Sequence, residues 1–319
     1  MFILIFYFEG DNYMDKLYVF GHQKPDTDSI ASSIVAANLQ NALGQEATAY
    51  KLGPVNKETK YALKTFEVEE PETLEKIEEN ANVIMVDNNE FQQSVNGIEN
   101  ANIKMVIDHH RINFETMEPI YYLCEPVGCT ATILYKLYKQ NEVEIDKKMA
   151  GLMLSAIVSD TLLFKSPTCT AQDKEIAEKL ANIACVDLYE YGKNMLKAGT
   201  DISEFTPFQV INMDSKEFEN DKAKFEISQV NAVDLDSIFS RQTELESAIQ
   251  KEIEDKNLDF YMFAATDILN ANSKIIALGN KADTVQKAFG VDLVNNTAML
   301  ENVVSRKKQM LPNILNNLD

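Results

Sequence analysis

Positive charge is scarce in this 319-residue chain: 30 lysines and arginines stand against 50 aspartates and glutamates, a formal charge of −20. That balance excludes the broad cationic face needed to bind nucleic acid or an anionic membrane, and it obliges an anionic substrate to find a local cationic site. Cysteine is sparse as well. Cys124, Cys129, Cys169 and Cys185 form no CxxC pair and no repeated ligand spacing. This argues against a structural zinc site or a disulfide framework and suits reduced thiols in the cytoplasm. A Cys124–Cys129 bridge is the one pairing the spacing leaves open. No apolar run approaches the roughly 20 residues that span a bilayer. The run FILIFYF at 2–8 lacks the basic flank and small-residue cleavage site of a signal peptide. Repeats and low-complexity segments are also missing.

What remains is an ordinary globular composition, 45% hydrophobic and 25% charged, on a chain long enough for two domains. Short β-rich runs alternate with helical patterns: LYVFG then SIASSIVAANLQNAL, TAYKLG then ETKYALKTF, NVIMVD, and KMVIDHH. The alternation predicts βαβ units and a mostly parallel sheet covered by helices. After YYLCEP come helical stretches TATILYKLYKQ, KKMAGLMLSAIVSD and AQDKEIAEKLANIA. Apolar periodicity lapses at AGTDISEF, 198–205, which reads as a linker. Beyond it the pattern predicts a strand pair in KFEISQVNAVD, one long helix DSIFSRQTELESAIQKEIEDK, strands FYMFAATDI and SKIIALG, and a tail ending SRKKQMLPNILNNLD.

Ligands of open parallel sheets collect outside the carboxyl ends of the strands. Three polar motifs sit there: GHQKPDTDS after LYVF, DNNE after VIMV, and DHH after MVI. The chain has three histidines, His22, His109 and His110, and all fall in these motifs. Taken alone, GHQKPDTDS also fits a turn into a helix, since Pro, Asp, Thr and Ser are turn and cap residues. Asp160 ends the apolar helix of SAIVSDT, where a lone carboxylate is costly to bury or serves as a cap. Together His22, Asp26, Asp28, Asp87, His109 and Asp160 offer two imidazoles and four carboxylates, enough for two metals with shared carboxylates. The mixed set suits Mn²⁺, Co²⁺ or Fe²⁺ better than Mg²⁺. Two such ions would acidify a bridging water into a nucleophile for attack on phosphorus.

GHQKPDTDS, VDNNEFQQS, VIDHH, VGCTATIL, SDT and SRKKQMLP, in that order, resemble the family II, manganese-dependent inorganic pyrophosphatases of the DHH phosphoesterase superfamily. The likeness runs from Met14 to the C-terminus. It implies an α/β fold with a larger N-terminal parallel-sheet DHH domain (1–199), a linker (200–205), and a smaller C-terminal α/β substrate domain (206–319), the active site lying in the cleft between them. It further implies hydrolysis of pyrophosphate to two phosphates by a metal-bridged hydroxide. His22, Asp26, Asp87 and Asp160 would hold one manganese, and Asp28, Asp87, His109 and Asp160 the other, so Asp87 and Asp160 bridge. His110 would touch the phosphate and help protonate the leaving group, while Lys216, Arg306 and Lys307 would clamp pyrophosphate. Read without the family, an Arg-Lys-Lys run in so acidic a chain is usually a solvated helix end. Two manganese ions per subunit, cobalt as a substitute, magnesium arriving with substrate and a cytoplasmic homodimer complete what the resemblance implies.

The chain departs from the family in two places. Asn88 stands in DNNE where the family usually has histidine, which touches only the surroundings of Asp87. Residues 1–13 precede the family's usual start and read as an extension. The nearest rivals are an exopolyphosphatase and the nuclease or cyclic-dinucleotide members of the superfamily. Nucleases usually carry a glycine-rich, histidine-containing C-terminal motif, and here no histidine follows His110. Exopolyphosphatases typically lack the histidine that is His22 here. A non-catalytic metal- or nucleotide-binding regulator would be expected to have lost a ligand. No insertion large enough for a nucleotide-sensing domain interrupts the first domain.

Overall fold

The computed structural model describes residues 16–318. The expected extension at 1–13 therefore lies outside the described residues. The chain divides after Gly199 into two compact units.

The first unit is built from β1 (Leu17–Phe20), α1 (Thr27–Ala42), β2 (Ala47–Lys51), α2 (Lys57–Thr65), β3 (Glu72–Thr73), β4 (Asn82–Val86), β5 (Asn102–Asp108), β6 (Tyr121–Cys124), α3 (Thr130–Gln140), α4 (Lys147–Asp160), α5 (Ala171–Ala184) and α6 (Leu188–Gly199). Its strands form one parallel sheet in the order β3-β2-β1-β4-β5-β6. Val83, Ile84, Met85 and Val86 are all buried, as strands covered on both faces require. One sheet face rests on Phe20, Tyr50, Met85 and Val106. The strand order reverses direction between β1 and β4, the topological switch point at which open α/β sheets gather ligands.

The helices begin where side chains supply caps. Asp26 caps α1 by accepting from Ser29 N at 3.0 Å, and Asp146 caps α4 by accepting from Met149 N at 2.8 Å. The buried Asp173 closes a capping box with Thr170 at the head of α5. It also accepts from Gly128 N (2.9 Å) and Thr132 Oγ1 (2.6 Å), fixing the VGCTAT segment across the start of α3.

The second unit comprises α7 (Pro207–Asn212), β7 (Ser215–Glu219), β8 (Lys224–Ala232), α8 (Leu235–Phe239), α9 (Gln242–Lys256), β9 (Phe260–Asp267), β10 (Asn272–Leu278), α10 (Asp283–Phe289), β11 (Thr297–Leu300), a π-helical turn at Arg306–Met310, and α11 (Leu311–Asn316). Its mixed sheet runs β11-β10-β9-β8-β7, with only β8 and β9 parallel. β9 is buried on both faces: Tyr261, Phe263 and Ala265 face one core, and Phe260, Met262 and Ala264 the other.

Two expectations change here. KFEISQVNAVD holds one nine-residue strand, β8, rather than a pair; its antiparallel partner β7 lies upstream in SKEFE. The long helix is two, α8 and α9, broken where Arg241 leaves helical geometry (φ −103°, ψ 20°). No helix among the described residues is long and apolar enough to cross a membrane.

Candidate metal centre

β1, β4 and β5 are each followed within two residues by a metal-binding type of residue, and the parallel register brings these ends together. His22 follows β1, Asp87 follows β4, and His109 follows β5. His22 Nε2 lies 3.5 Å from Asp87 Oδ2 and 3.6 Å from Asp26 Oδ2. His109 Nε2 lies 3.4 Å from Asp87 Oδ1, 3.6 Å from Asp160 Oδ2 and 3.9 Å from Asp28 Oδ2. The donors fall into two sets, His22–Asp26–Asp87 and Asp28–Asp87–His109–Asp160, each with ligand atoms within 4.8 Å of one another. Asp87 belongs to both. At that spacing Asp160 joins only the second. His110 forms a further group with Asp87 and His109.

The local structure is costly without a cation. Asp28 and Asp87 are 0% and 2% exposed, and Asp160 ends α4, where the helix dipole already disfavours a carboxylate. Asp160 makes no N-cap there, so capping does not explain it. Asp87 adopts a left-handed conformation (φ 53°), a conformation uncommon outside glycine that concentrates at functional sites. Its buried Oδ2 has no hydrogen-bond partner. Asp26, by contrast, caps the helix as the turn reading expects and also stands beside His22, so its position fits both readings.

Titration follows from this crowding. Burial, then the neighbouring Asp28 and Asp87 carboxylates, push Asp160 well above the ordinary carboxylate range. Burial and the charge of Asp87 raise Asp28 to about 6. Burial opposes charge on His22, but the adjacent carboxylates of Asp26 and Asp87 outweigh it and raise the imidazole to about 10. His109 reaches about 9 against the same opposition, through Asp87 and Asp28. Burial disfavours ionised Asp87 as well, yet its two histidines pull it down to about 2. Imidazoles beside clustered carboxylates fit first-row transition ions better than magnesium.

Supporting groups orient these donors. His109 Nδ1 sits 3.1 Å from Val127 O, which leaves Nε2 for the cluster. Asp28 accepts from Ser32 Oγ (2.6 Å) and Thr130 N (2.7 Å), and Thr130 Oγ1 donates to Asp87 at 3.4 Å. Fully buried Asp108 accepts from the main-chain N–H groups of His109 and His110, from Asn89 Nδ2, and faces His110 Nδ1 at 2.9 Å. Sequence reasoning assigned nothing to Asp108, Asn89 or Thr130, although all three lie in quoted motifs. The signal was the motif's uncharged or first letter, which the count of ligands passed over. Asn88 is buried; its Oδ1 accepts from Glu90 N and its Nδ2 has no partner.

In the second unit, exposed Lys216 lies on β7, and Arg306 and exposed Lys307 open the π-helical turn. Arg306 donates to the main-chain and side-chain oxygens of Asp214.

Residues 16–157 match the DHH family N-terminal domain, and residues 193–317 match the DHHA2 domain. The manganese-dependent inorganic pyrophosphatase of Bacillus subtilis is 56% identical over 301 residues, covering 94% of this chain and 97% of that protein. The crystal structure of a candidate family II inorganic pyrophosphatase from Methanococcus jannaschii superposes with a TM-score of 0.61 at 38% identity, covering 95% of this chain and 99% of that one. An exopolyphosphatase-related protein of Bacteroides fragilis shares the fold, with a TM-score of 0.52 at 14% identity over 95% of this chain and 92% of its own. At such identity and coverage, and with its two domain types in order, the chain belongs to the manganese-dependent, family II inorganic pyrophosphatases of the DHH superfamily.

Proposed function

We propose that this chain hydrolyses inorganic pyrophosphate to two phosphates at a dinuclear manganese centre. The observation that carries the reading is the pair of donor sets sharing Asp87 at the switch point of the parallel sheet. His22 and Asp26 would hold one ion and Asp28 and His109 the other, with Asp87 and Asp160 common to both. Cobalt would substitute, and magnesium would arrive with the substrate. Bound ions would supply Lewis acidity toward phosphoryl oxygens and lower the pKa of water.

The chain's own residues do the rest. Asp108 holds His110 by Nδ1, and the half-exposed ring is free to meet a phosphate oxygen and hand the leaving group a proton. Lys216, Arg306 and Lys307 balance the charge of pyrophosphate, arginine by its planar fork and the lysines as point charges. Residues 1–199 would serve as the metal-binding catalytic domain and 206–319 as the substrate-binding domain, joined by 200–205. Four free cysteines suit a cytoplasmic enzyme, and the family implies a homodimer.

The test is phosphate release from pyrophosphate, tripolyphosphate, ATP and a dinucleotide, with Mn²⁺ and Mg²⁺ compared. Pyrophosphate with Mn²⁺ should be fastest. Faster cleavage of the polymer would favour the exopolyphosphatase reading, and of the dinucleotide a phosphodiesterase.

A further inference from the structure

Residues 303–305, which lead into the π-helical turn, belong to no strand or helix; side chains from the sheet bond the carbonyls of Val303 and Val304, and Gln309 of the turn accepts from Val304 N and Ser305 N. Gln229 on β8 accepts from Arg306 N at 3.1 Å through Oε1 and donates through Nε2 to Val304 O (2.9 Å) and Thr266 Oγ1 (2.8 Å). Thr266 Oγ1 lies 2.8 Å from Ser273 Oγ, which donates to Val303 O at 2.7 Å. Thr266 and Ser273 are buried, so this polar network under an irregular segment holds main-chain groups that regular structure does not.

The Arg306 side chain is held from the same place. Gln229 N donates to Asp214 O at 2.9 Å, adding one bond beyond the Ser215–Ser228 pair of β7 and β8. Arg306 lies across that end of the ladder: Nη1 donates to Asp214 O at 2.5 Å and Nη2 to Asp214 Oδ1 at 2.8 Å. Asp214 takes two of the five guanidinium N–H donors and Ile227 O, 3.5 Å from Nη1, a third, which leaves two for a second anion. It also stands two residues before Lys216, so one short stretch of chain carries a clamp lysine and the anchor of the clamp arginine.

We infer that Asp214 and Gln229 are positioning residues for the substrate: Gln229 sets the main chain of Arg306 and Asp214 sets its guanidinium plane, so the fork is ordered before pyrophosphate arrives. The inference rests on the proposed role of Arg306. Ordering a long cationic side chain in advance removes an entropic cost from binding and from the transition state. The opposite reading, in which Asp214 competes with substrate for Arg306, predicts the opposite sign in the same assay.

The experiment compares full-length, manganese-loaded D214A, D214N, Q229A, R306A and D214A/R306A for kcat, KM, manganese content and affinity for imidodiphosphate. D214A should lower kcat/KM about tenfold, the size expected for losing a hydrogen bond to a charged group, and Q229A about fivefold, the size expected for losing a neutral one. Both should weaken imidodiphosphate binding and keep full manganese. D214N keeps an acceptor for Nη2 and should recover most of the loss. In the R306A background D214A should cost nothing more, whereas a merely structural role would be additive. A kcat/KM for D214A within twofold of the parent, a lowered KM, or additivity would each overturn the inference while Arg306 stood. An R306A variant of normal activity would remove Arg306 from the clamp, and the inference with it.

Discussion

The imidazole Nδ1 of His110 stands 2.9 Å from Oδ1 of Asp108, a carboxylate with no exposed surface. That contact holds the imidazole above its ordinary pKa, fixes which ring nitrogen carries the inward proton, and turns the other outward. Asp108 also takes the main-chain N–H groups of both histidines. Asp108→Asn would set an amide N–H against a donor, leaving about 1–3 kcal/mol of unmet hydrogen bonding. The expected result is a kcat reduced about 10–100-fold, with manganese retained. Unchanged kcat in a steady-state assay would show that His110 needs no such support.

Asp160→Asn and His110→Asn should separate metal binding from chemistry. Asp160 lies 3.6 Å from His109 within the four-residue donor set, whereas the His110 ring is 55% exposed and held by Asp108. Both variants should hydrolyse pyrophosphate slowly. Only Asp160→Asn should lose manganese affinity, by about 10–100-fold or more, as read by metal analysis after gel filtration. Full occupancy in that variant would strike Asp160 from the ligands.

Gly21 shows how closely the site is packed. A Cβ there would lie 1.9 Å from Ser29 Oγ and 3.1 Å from Ser29 Cα. Ser29 Oγ accepts from His22 N at 3.0 Å, and Ser29 N is the group that Asp26 caps. Gly21→Ala must therefore displace the start of α1, which carries Asp26 and Asp28. It should cost about 1–3 kcal/mol and reduce bound manganese, measured by thermal unfolding and metal content together. A variant of unaltered stability and occupancy would refute this packing argument.

Much of the first unit was legible in the sequence because its signals are local. NVIMV and KMVID are too apolar to be anything but covered strands, and KKMAGLMLSAIVSD matches α4 residue for residue. The donor set was legible because three histidines in one chain all fell at strand ends. What escaped depended on partners distant in sequence. Thr130 matters through Asp28, 102 residues away, and Asp214 through Arg306, 92 residues away. The break between α8 and α9 carries no Gly or Pro, only Arg241 turning to donate to Phe205 O. β7 reads as a charged segment because, as an edge strand, it exposes Lys216, Glu217 and Glu219.

The metal-free protein should weaken on the alkaline side. His22 and His109 titrate at about 10 and about 9 when folded, against an ordinary 6.5. Their stabilising contribution is whole below pH 6.5 and is lost as pH rises through 9 and 10. Asp28, raised to about 6 from 3.8, adds to the loss between those values. Asp87, lowered to about 2, contributes stability above 3.8 that is lost only as pH falls toward 2. Manganese replaces the protons, so its apparent affinity should climb across the same alkaline range. Melting curves of chelated and manganese-loaded protein at pH 6, 7.5 and 9 should diverge as pH rises. Parallel curves would mean that the histidines do not carry these protons.

The last expectation follows from how the chemistry is divided along the chain. All six proposed metal ligands lie between His22 and Asp160, while Lys216, Arg306 and Lys307 lie beyond Gly199. Phosphoryl transfer depends on cations placed on the charge of the transferring group and on exclusion of bulk water, neither of which the first unit's acidic cluster supplies from its own side chains. Bringing a substrate-bearing domain over the metals would provide both and would limit the cavity to a small diphosphate. A fragment of residues 1–199 that folds, judged by circular dichroism, should therefore bind Mn²⁺ and hydrolyse pyrophosphate very poorly. Arg306→Ala and Lys307→Ala in the full chain should likewise keep manganese and lose turnover. Near-normal hydrolysis by the fragment would overturn the closure argument even with every metal ligand correctly assigned, because the chemistry would then need no cation from the second unit.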